Sequence, residues 1–290
     1  MTEVMTWFMA GTACVGFLLN VSVFIKCYKK KKGTRNNADI LITSLACADI
    51  TFCLGIMVNS IVVITGFSYS RKALSVYWNL SQGASFSGSL LHIMTIAVDR
   101  LIAVIMPVYY KNNSNSSLKA CIVLSSIWVM SFLIASTQYF LPMHVIDIVV
   151  SVMISIASIE AIFVYSVIGW RLYRRTISLA VCKEQRKKLM KSYRKSVFLC
   201  ALLTIAFFGF NIPFVAYNVY VIVTGRDFTI TASHILYYLM TLNCVVDPII
   251  YNFAANLLKV IRKKCGKSFI NRPKSTQSFK RSTLLSSTYL

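Results

Sequence analysis

Apolar runs of some twenty or more residues, separated by short polar stretches, recur seven times along this chain. They fall at 4–28, 37–64, 73–106, 118–141, 147–177, 193–223 and 230–254. About 20 apolar residues in a helix suffice to cross the hydrocarbon core of a bilayer, and a helix satisfies its backbone hydrogen bonds within itself. The pattern therefore predicts an all-α integral membrane protein, a seven-transmembrane helix bundle over residues 1–254. After it, Leu257, Leu258 and Ile261 keep helical spacing among Lys259, Arg262, Lys263 and Lys264. That suits a short amphipathic eighth helix over 255–266, lying on an anionic lipid surface. Residues 267–290 are polar, rich in Ser and Thr and interleaved with Lys and Arg, which predicts a disordered tail.

Composition agrees, since 57% of the 290 residues are hydrophobic and only 14% charged, too little polar surface for a soluble domain. A formal net charge of +22 would suggest nucleic acid in a soluble protein, so the location of the 31 basic residues decides its meaning. Six lie in 26–35, three in 100–119, ten in 171–195 and nine in 259–281, which leaves Arg71, Lys72 and Arg226 for the other face. This is a positive-inside asymmetry. It predicts an extracellular amino end and a cytoplasmic carboxyl end, and it removes nucleic acid as a partner. The first eight residues lack the basic region of a signal peptide, so the first run is expected to remain as an anchor. By this topology the nine cysteines fall in the spans or on the cytoplasmic side, where pairing is disfavoured. Cys265 is a candidate for palmitoylation, or else a plain reduced thiol.

Polar residues inside the spans carry the chemistry. Gly16 and Asn20 share a face of the first run, Ser85 and Ser89 of the third, Asn243 and Asp247 of the seventh, and Asp49 stands mid-way along the second. Only the bundle interior is hospitable to them, so they are expected to converge there. Two carboxylates near hydroxyls and an amide would bind a small cation or share a proton; the other reading is a purely structural hydrogen-bonded network. Pro213 and Pro248 remove backbone donors and predict kinks in the sixth and seventh spans. Asp99 and Arg100 stand side by side at the end of the third run, a costly pair at membrane depth. Glu160, inside the fifth run, has no evident partner. His92, His144 and His234 lie on separate segments without metal-ligand spacing, and no metal centre is expected.

Taken together, these residues resemble the rhodopsin-like (class A) family of G-protein-coupled receptors, over essentially the whole chain. Gly16 to Asn20 is similar to the first-helix signature, Leu45-Ala46-Cys47-Ala48-Asp49 to the second, and Asp99-Arg100-Leu101 to the Asp-Arg-Tyr motif. Trp128 corresponds to the fourth-helix tryptophan, Tyr165 to the fifth-helix tyrosine, Pro213 to the sixth-helix proline, and Asp247-Pro248-Ile249-Ile250-Tyr251 to the Asn/Asp-Pro-x-x-Tyr motif. The resemblance implies a plasma-membrane receptor in which an outside ligand shifts a two-state bundle toward an open cytoplasmic face that binds a heterotrimeric G protein. It implies that Arg100 is the switch, held by Asp99 at rest and released to act with Tyr165 and Tyr251, while Pro213 and Pro248 supply the hinges. Asn20, Asp49, Ser89, Asn243 and Asp247 would form the family's polar network around an allosteric sodium ion.

The departures carry information too. Ser75 stands where the family usually has a cysteine, and the outer loop at 142–146 has none. A short disulfide-free outer loop, with Ala157 in place of the fifth-helix proline, resembles the melanocortin and lipid-receptor branch. Asn211 replaces the sixth-helix tryptophan, and Tyr193 and Arg194 stand where an acid would lock Arg100, which predicts basal activity. Gln82 occupies the position of the amine receptors' aspartate, and Thr241 that of the opsin lysine, so a protonated amine and retinal are both disfavoured. Trp78, Gln82, Ser85, Asn211, Phe214, Tyr217, Tyr237 and Thr241 would line a pocket of aromatic walls with a few neutral polar groups. That suits a small, largely apolar or neutral ligand, a lipid or short peptide included.

The expected partners are that ligand, a G protein, membrane lipids, arrestin at a phosphorylated tail, and a PDZ groove at Thr288-Tyr289-Leu290. An enzyme has no support, because no nucleophile and base pair at a plausible depth. Two rival readings stand beside the receptor: a receptor-like decoy or partner protein that does not couple, and a small secondary transporter using Asp49, Asp99, Glu160 and Asp247 as an ion relay, which lacks the expected internal repeat.

Overall fold

Each apolar run is helical over most of its described residues in the computed structural model, which describes residues 2–30, 37–66, 71–113, 117–178, 184–225, 232 and 235–252. The helices are α1 (Thr2–Tyr28), α2 (Asn37–Thr65), α3 (Arg71–Ile105), α4 (Pro107–Asn113), α5 (Ser117–Ser136), α6 (Met143–Ser178) and α7 (Glu184–Thr224). An eighth, α8, is helical over 235–252. The described residues contain no strand. Six helices, all but α4 and α8, are long and apolar enough to cross a membrane. Asn243, Asp247 and Asn252 make α8 more polar, yet it packs into the same bundle through Cys244. The amphipathic stretch at 255–266 with Cys265, and the tail beyond it, lie outside the described residues.

The helix α7 begins at Glu184, nine residues before the expected 193, and prolines mark two other places where sequence and structure part. Pro107 has no N–H to continue α3, and it opens a separate short helix, α4, at the first helical position, where the missing donor costs nothing. The fourth run was expected to reach 141, but α5 stops at Ser136 and a single 3-10 turn, Thr137–Tyr139, follows. Tyr139 Oη then donates to the Val76 carbonyl of α3 at 2.9 Å. Pro142 precedes the next helix, which begins at Met143, four residues earlier than expected, and its carbonyl accepts from the N–H groups of Val145 at 3.0 Å and Ile146 at 3.2 Å.

Burial is inverted relative to a water-soluble protein. Ile159, Ile162 and Phe163 of α6 are each more than 60% exposed, while Asp49, Ser85, His92 and Thr241 are fully enclosed. Lipid tails are as apolar as a leucine side chain, so packing, interhelical hydrogen bonds and small residues at close approaches hold such a bundle together. The central helix is α3, which packs against α2, α5, α6 and α7. Its Leu90, Ile93 and Ile96 meet Leu41 and Leu45 of α2, Ile127 of α5, Ile154 of α6 and Phe207 of α7 in one core. A second cluster joins Met9 and Ala13 of α1 to Phe52 and Ile56 of α2 and Cys244 of α8.

Candidate functional site

Pro248 cannot donate to the carbonyl one turn before it, that of Cys244, which is thereby left without its helical partner. Asn20 of α1 supplies the missing bond, Nδ2 to Cys244 O at 2.7 Å, and also reaches the Gly16 carbonyl of its own helix at 3.0 Å. Gly16 makes the approach possible, because a Cβ there would lie 3.0 Å from Cys53 Sγ and 3.3 Å from Val245. Beside this junction, Ser89 Oγ donates to Asp49 Oδ1 at 3.1 Å, and Asn243 Nδ2 to Asp247 Oδ2 at 3.4 Å. The second oxygen of each carboxylate and the Asn243 carbonyl oxygen are shielded from solvent with no hydrogen-bond partner. A cavity of about 10 Å³ adjoins Asn20, Asp49, Asp247 and Pro248, room for roughly one water-sized species. The five residues expected to form a polar network thus share one region.

At the basic end of the bundle Arg100 is 6% exposed. Its Nη2 is paired with Asp99 and also donates to Tyr110 Oη at 3.1 Å, while that hydroxyl donates to Asp99 Oδ2 at 3.1 Å. Burial holds the Tyr110 phenol above its ordinary pKa, so it remains a donor. The sequence pointed to Asp99 as the holder of Arg100 and missed Tyr110, which α4 delivers. The tyrosine pair Tyr109-Tyr110, one turn beyond Pro107, was the available signal.

Tyr165 and Tyr251 are held elsewhere. Thr204 gives its proton to the Cys200 carbonyl at 2.9 Å, so Tyr165 Oη donates to Thr204 Oγ1 at 3.1 Å and ties α6 to α7. Tyr251 Oη lies 3.3 Å from Cys27 Sγ and accepts from Lys30 Nζ at 3.4 Å. The three residues expected to act in the switch, Arg100, Tyr165 and Tyr251, are therefore spread among three separate holds, each on a different pair of elements.

In the opposite half, Gln82 leans on α2, its Nε2 donating to the Phe52 carbonyl at 3.1 Å. Gly55 makes room for it. Asn211 Nδ2 donates to Phe207 O at 2.7 Å, and Thr241 bonds its own helix at Tyr237 O. Gln82 Oε1, Ser85 Oγ and Asn211 Oδ1 are buried without partners. Phe214 packs on the main core, Tyr217 lies against Tyr220, and Tyr237 is 37% exposed. The Trp78 side chain is outside the described residues. Glu160 is half-buried in α6 with Oε2 shielded and lacking a hydrogen-bond partner.

One polar cluster was not legible in the sequence. His92, fully enclosed, faces the Gly88 carbonyl with Nδ1 at 2.7 Å and Ser44 Oγ with Nε2 at 2.7 Å. A carbonyl only accepts, so Nδ1 carries the proton and Nε2 accepts from the Ser44 hydroxyl. That oxygen in turn accepts from Trp128 Nε1 at 3.1 Å, joining α2, α3 and α5 with every donor and acceptor satisfied. Among the described residues, no group of three or more His, Cys, Asp or Glu could hold a metal ion.

Comparison with known proteins agrees with this architecture. Residues 19–147 match the family described as 7 transmembrane receptor (rhodopsin family). The D(2) dopamine receptor A of Xenopus laevis is 27% identical over 113 residues, 38% of this chain and 25% of that receptor. The D(2)-like dopamine receptor of Takifugu rubripes is likewise 27% identical over 113 residues, covering 38% of this chain and 24% of its own. The chain thus spans about a quarter of the length of these relatives. Over residues 19–147, together with the ordered motifs and the bundle that assembles them, the chain is thus similar to the rhodopsin family of seven-transmembrane receptors.

Proposed function

We propose that the chain is a ligand-operated receptor of the plasma membrane whose basic end faces the cytoplasm and engages a heterotrimeric G protein through Arg100. The observation that carries this reading is the closed, buried arrangement of Arg100 with Asp99 and Tyr110. Parting a buried ion pair is costly unless a new partner replaces the lost one, so opening the basic end offers a strong donor to whatever protein enters. Twenty-eight of the 31 basic residues on loops and ends of one side support the orientation. The test is a G-protein dissociation assay with surface expression confirmed. Signal above vector that Arg100→Ala abolishes is the expected result, and a variant that signals undiminished overturns it. Silence of the wild type and of Asp99→Asn alike supports the non-coupling decoy instead.

The ligand is a small neutral molecule able to donate hydrogen bonds. The two relatives are named for dopamine, a protonated amine, but the resemblance to the family puts Gln82 at the position where amine receptors carry an aspartate. Buried Gln82 Oε1, Ser85 Oγ and Asn211 Oδ1 lack partners and would favour uncharged donors. A further part of the reading is a sodium ion in the polar core, where Asp49, Asp247 and Asn243 supply partnerless buried oxygens and Ser89 an additional one. That ion would favour the closed state by joining α2, α3 and α8.

A further inference from the structure

At its basic end α1 grips the end of α8. Lys26 Nζ donates to Asn252 Oδ1 at 2.8 Å, Cys27 Sγ lies 3.3 Å from Tyr251 Oη, and Lys30 Nζ donates to the same hydroxyl at 3.4 Å. Lys30 also pairs with Asp39 Oδ1 of α2 at 2.6 Å. Local structure sets this up. The helix α1 ends at Tyr28, and the chain turns through Lys29 and Lys30, the Lys30 N–H reaching the Cys27 carbonyl at 3.3 Å. Cys27 and Lys30 thereby reach one hydroxyl, Cys27 from a position 2% exposed and Lys30 from the solvent edge with Asp39 beside it.

The consequence is mechanical. Arg100 is held within α3 and α4, and Tyr165 is held between α6 and α7, but the hold on Tyr251 ties α8 to α1 and α2. Tyr251 cannot keep its hydroxyl between Cys27 and Lys30 and also swing toward the centre of the bundle. The short bond to Asp39 fixes the Lys30 ammonium within reach of the Tyr251 hydroxyl, and the charge costs little at the aqueous edge. The geometry points to Cys27, Lys30 and Asp39 as a clasp that restrains α8 at rest, with release of Tyr251 from the clasp a required step of activation. This rests on the coupling function proposed above. These are positioning residues, acting through Tyr251 and not on the partner.

The test uses the full chain in membranes, with Lys30→Met, Lys30→Arg and Tyr251→Phe beside the wild type. Two quantities are read: the rate of maleimide labelling at Cys27, resolved by peptide mass spectrometry, and ligand-independent G-protein signalling per receptor at the surface. Lys30→Met and Tyr251→Phe should speed Cys27 labelling about threefold or more by local opening, with Lys30→Arg within about twofold of wild type. Lys30→Met should also raise ligand-independent signalling about two- to fivefold by population shift. Unchanged Cys27 labelling in Lys30→Met overturns the clasp whatever the signalling. Faster labelling with level signalling, in a receptor that does couple, overturns its place in activation. Faster labelling while wild type and Asp99→Asn are both silent leaves the grip of α1 on α8 standing and removes the coupling function instead.

Discussion

Asp49 and Asp247 are buried carboxylates, and each is made tolerable by a neighbour: Ser89 of α3 for Asp49, and Asn243, one turn earlier on the same helix face, for Asp247. Their remaining oxygens are the chemical reason to expect a cation. If sodium sits there, replacing it with a bulky organic cation in the medium should raise basal signalling of the wild type. Asp49→Asn should abolish that dependence, and an unchanged sodium response in the variant would rule the site out. Tyr110 gives a second prediction at this scale. Tyr110→Phe keeps the ring but removes the hydroxyl that serves both Asp99 and Arg100. Losing a hydrogen bond worth about 0.5–1.5 kcal/mol to the closed state should raise ligand-independent signalling about two- to tenfold. An accompanying fall in signalling would mean that Tyr110 serves the open state.

Between elements, small residues and shared hydroxyls decide how closely helices meet. A Cβ on Gly55 would lie 2.0 Å from Gln82 Nε2, so Gly55→Ala must push the amide off α2 and break its bond to Phe52. At Gly88 the nearest atom is Ser131 Oγ at 3.4 Å, an ordinary contact. Concentration–response curves for any activating ligand should therefore shift in Gly55→Ala and stay put in Gly88→Ala. Equal shifts would show that Gln82 takes no part in binding. Ser44 is the other hinge of packing, since it accepts from Trp128 and donates to His92. Ser44→Ala orphans both rings and should cost about 1–3 kcal/mol, seen as a lowered Tm of the detergent-purified receptor.

For the molecule as a whole, the lipid-facing apolar surface and the enclosed polar groups describe a bundle built for hydrocarbon, and charge alone orients it. An epitope at the amino end should stain on intact cells, and one at the carboxyl end only after permeabilisation; the reverse would overturn the direction proposed for signalling. The spans were legible because twenty apolar residues in a row have few other uses. The bounds misled at the end of the fourth run, whose apolar residues continue past Ser136 while the next helix opens at Met143, and at the sixth, where α7 begins at Glu184 and not at 193.

The sequence by itself located the apolar runs, showed where the basic residues gather, and marked which polar residues have to turn inward, because these follow from length, charge and periodicity along single helices. Tertiary structure alone decided which inward groups meet. Periodicity says that Asn20 and Asp247 face the interior, but not that Asn20 caps the carbonyl freed by Pro248. It marks Arg100 as costly, but Tyr110 reaches it only because α4 folds back after Pro107. It shows lysines after the first span, and only the packing of α1 against α8 puts Cys27 and Lys30 on the hydroxyl of Tyr251, 221 positions beyond Lys30. Contacts of that separation depend on how helices pack side by side, and no single helix records its neighbours.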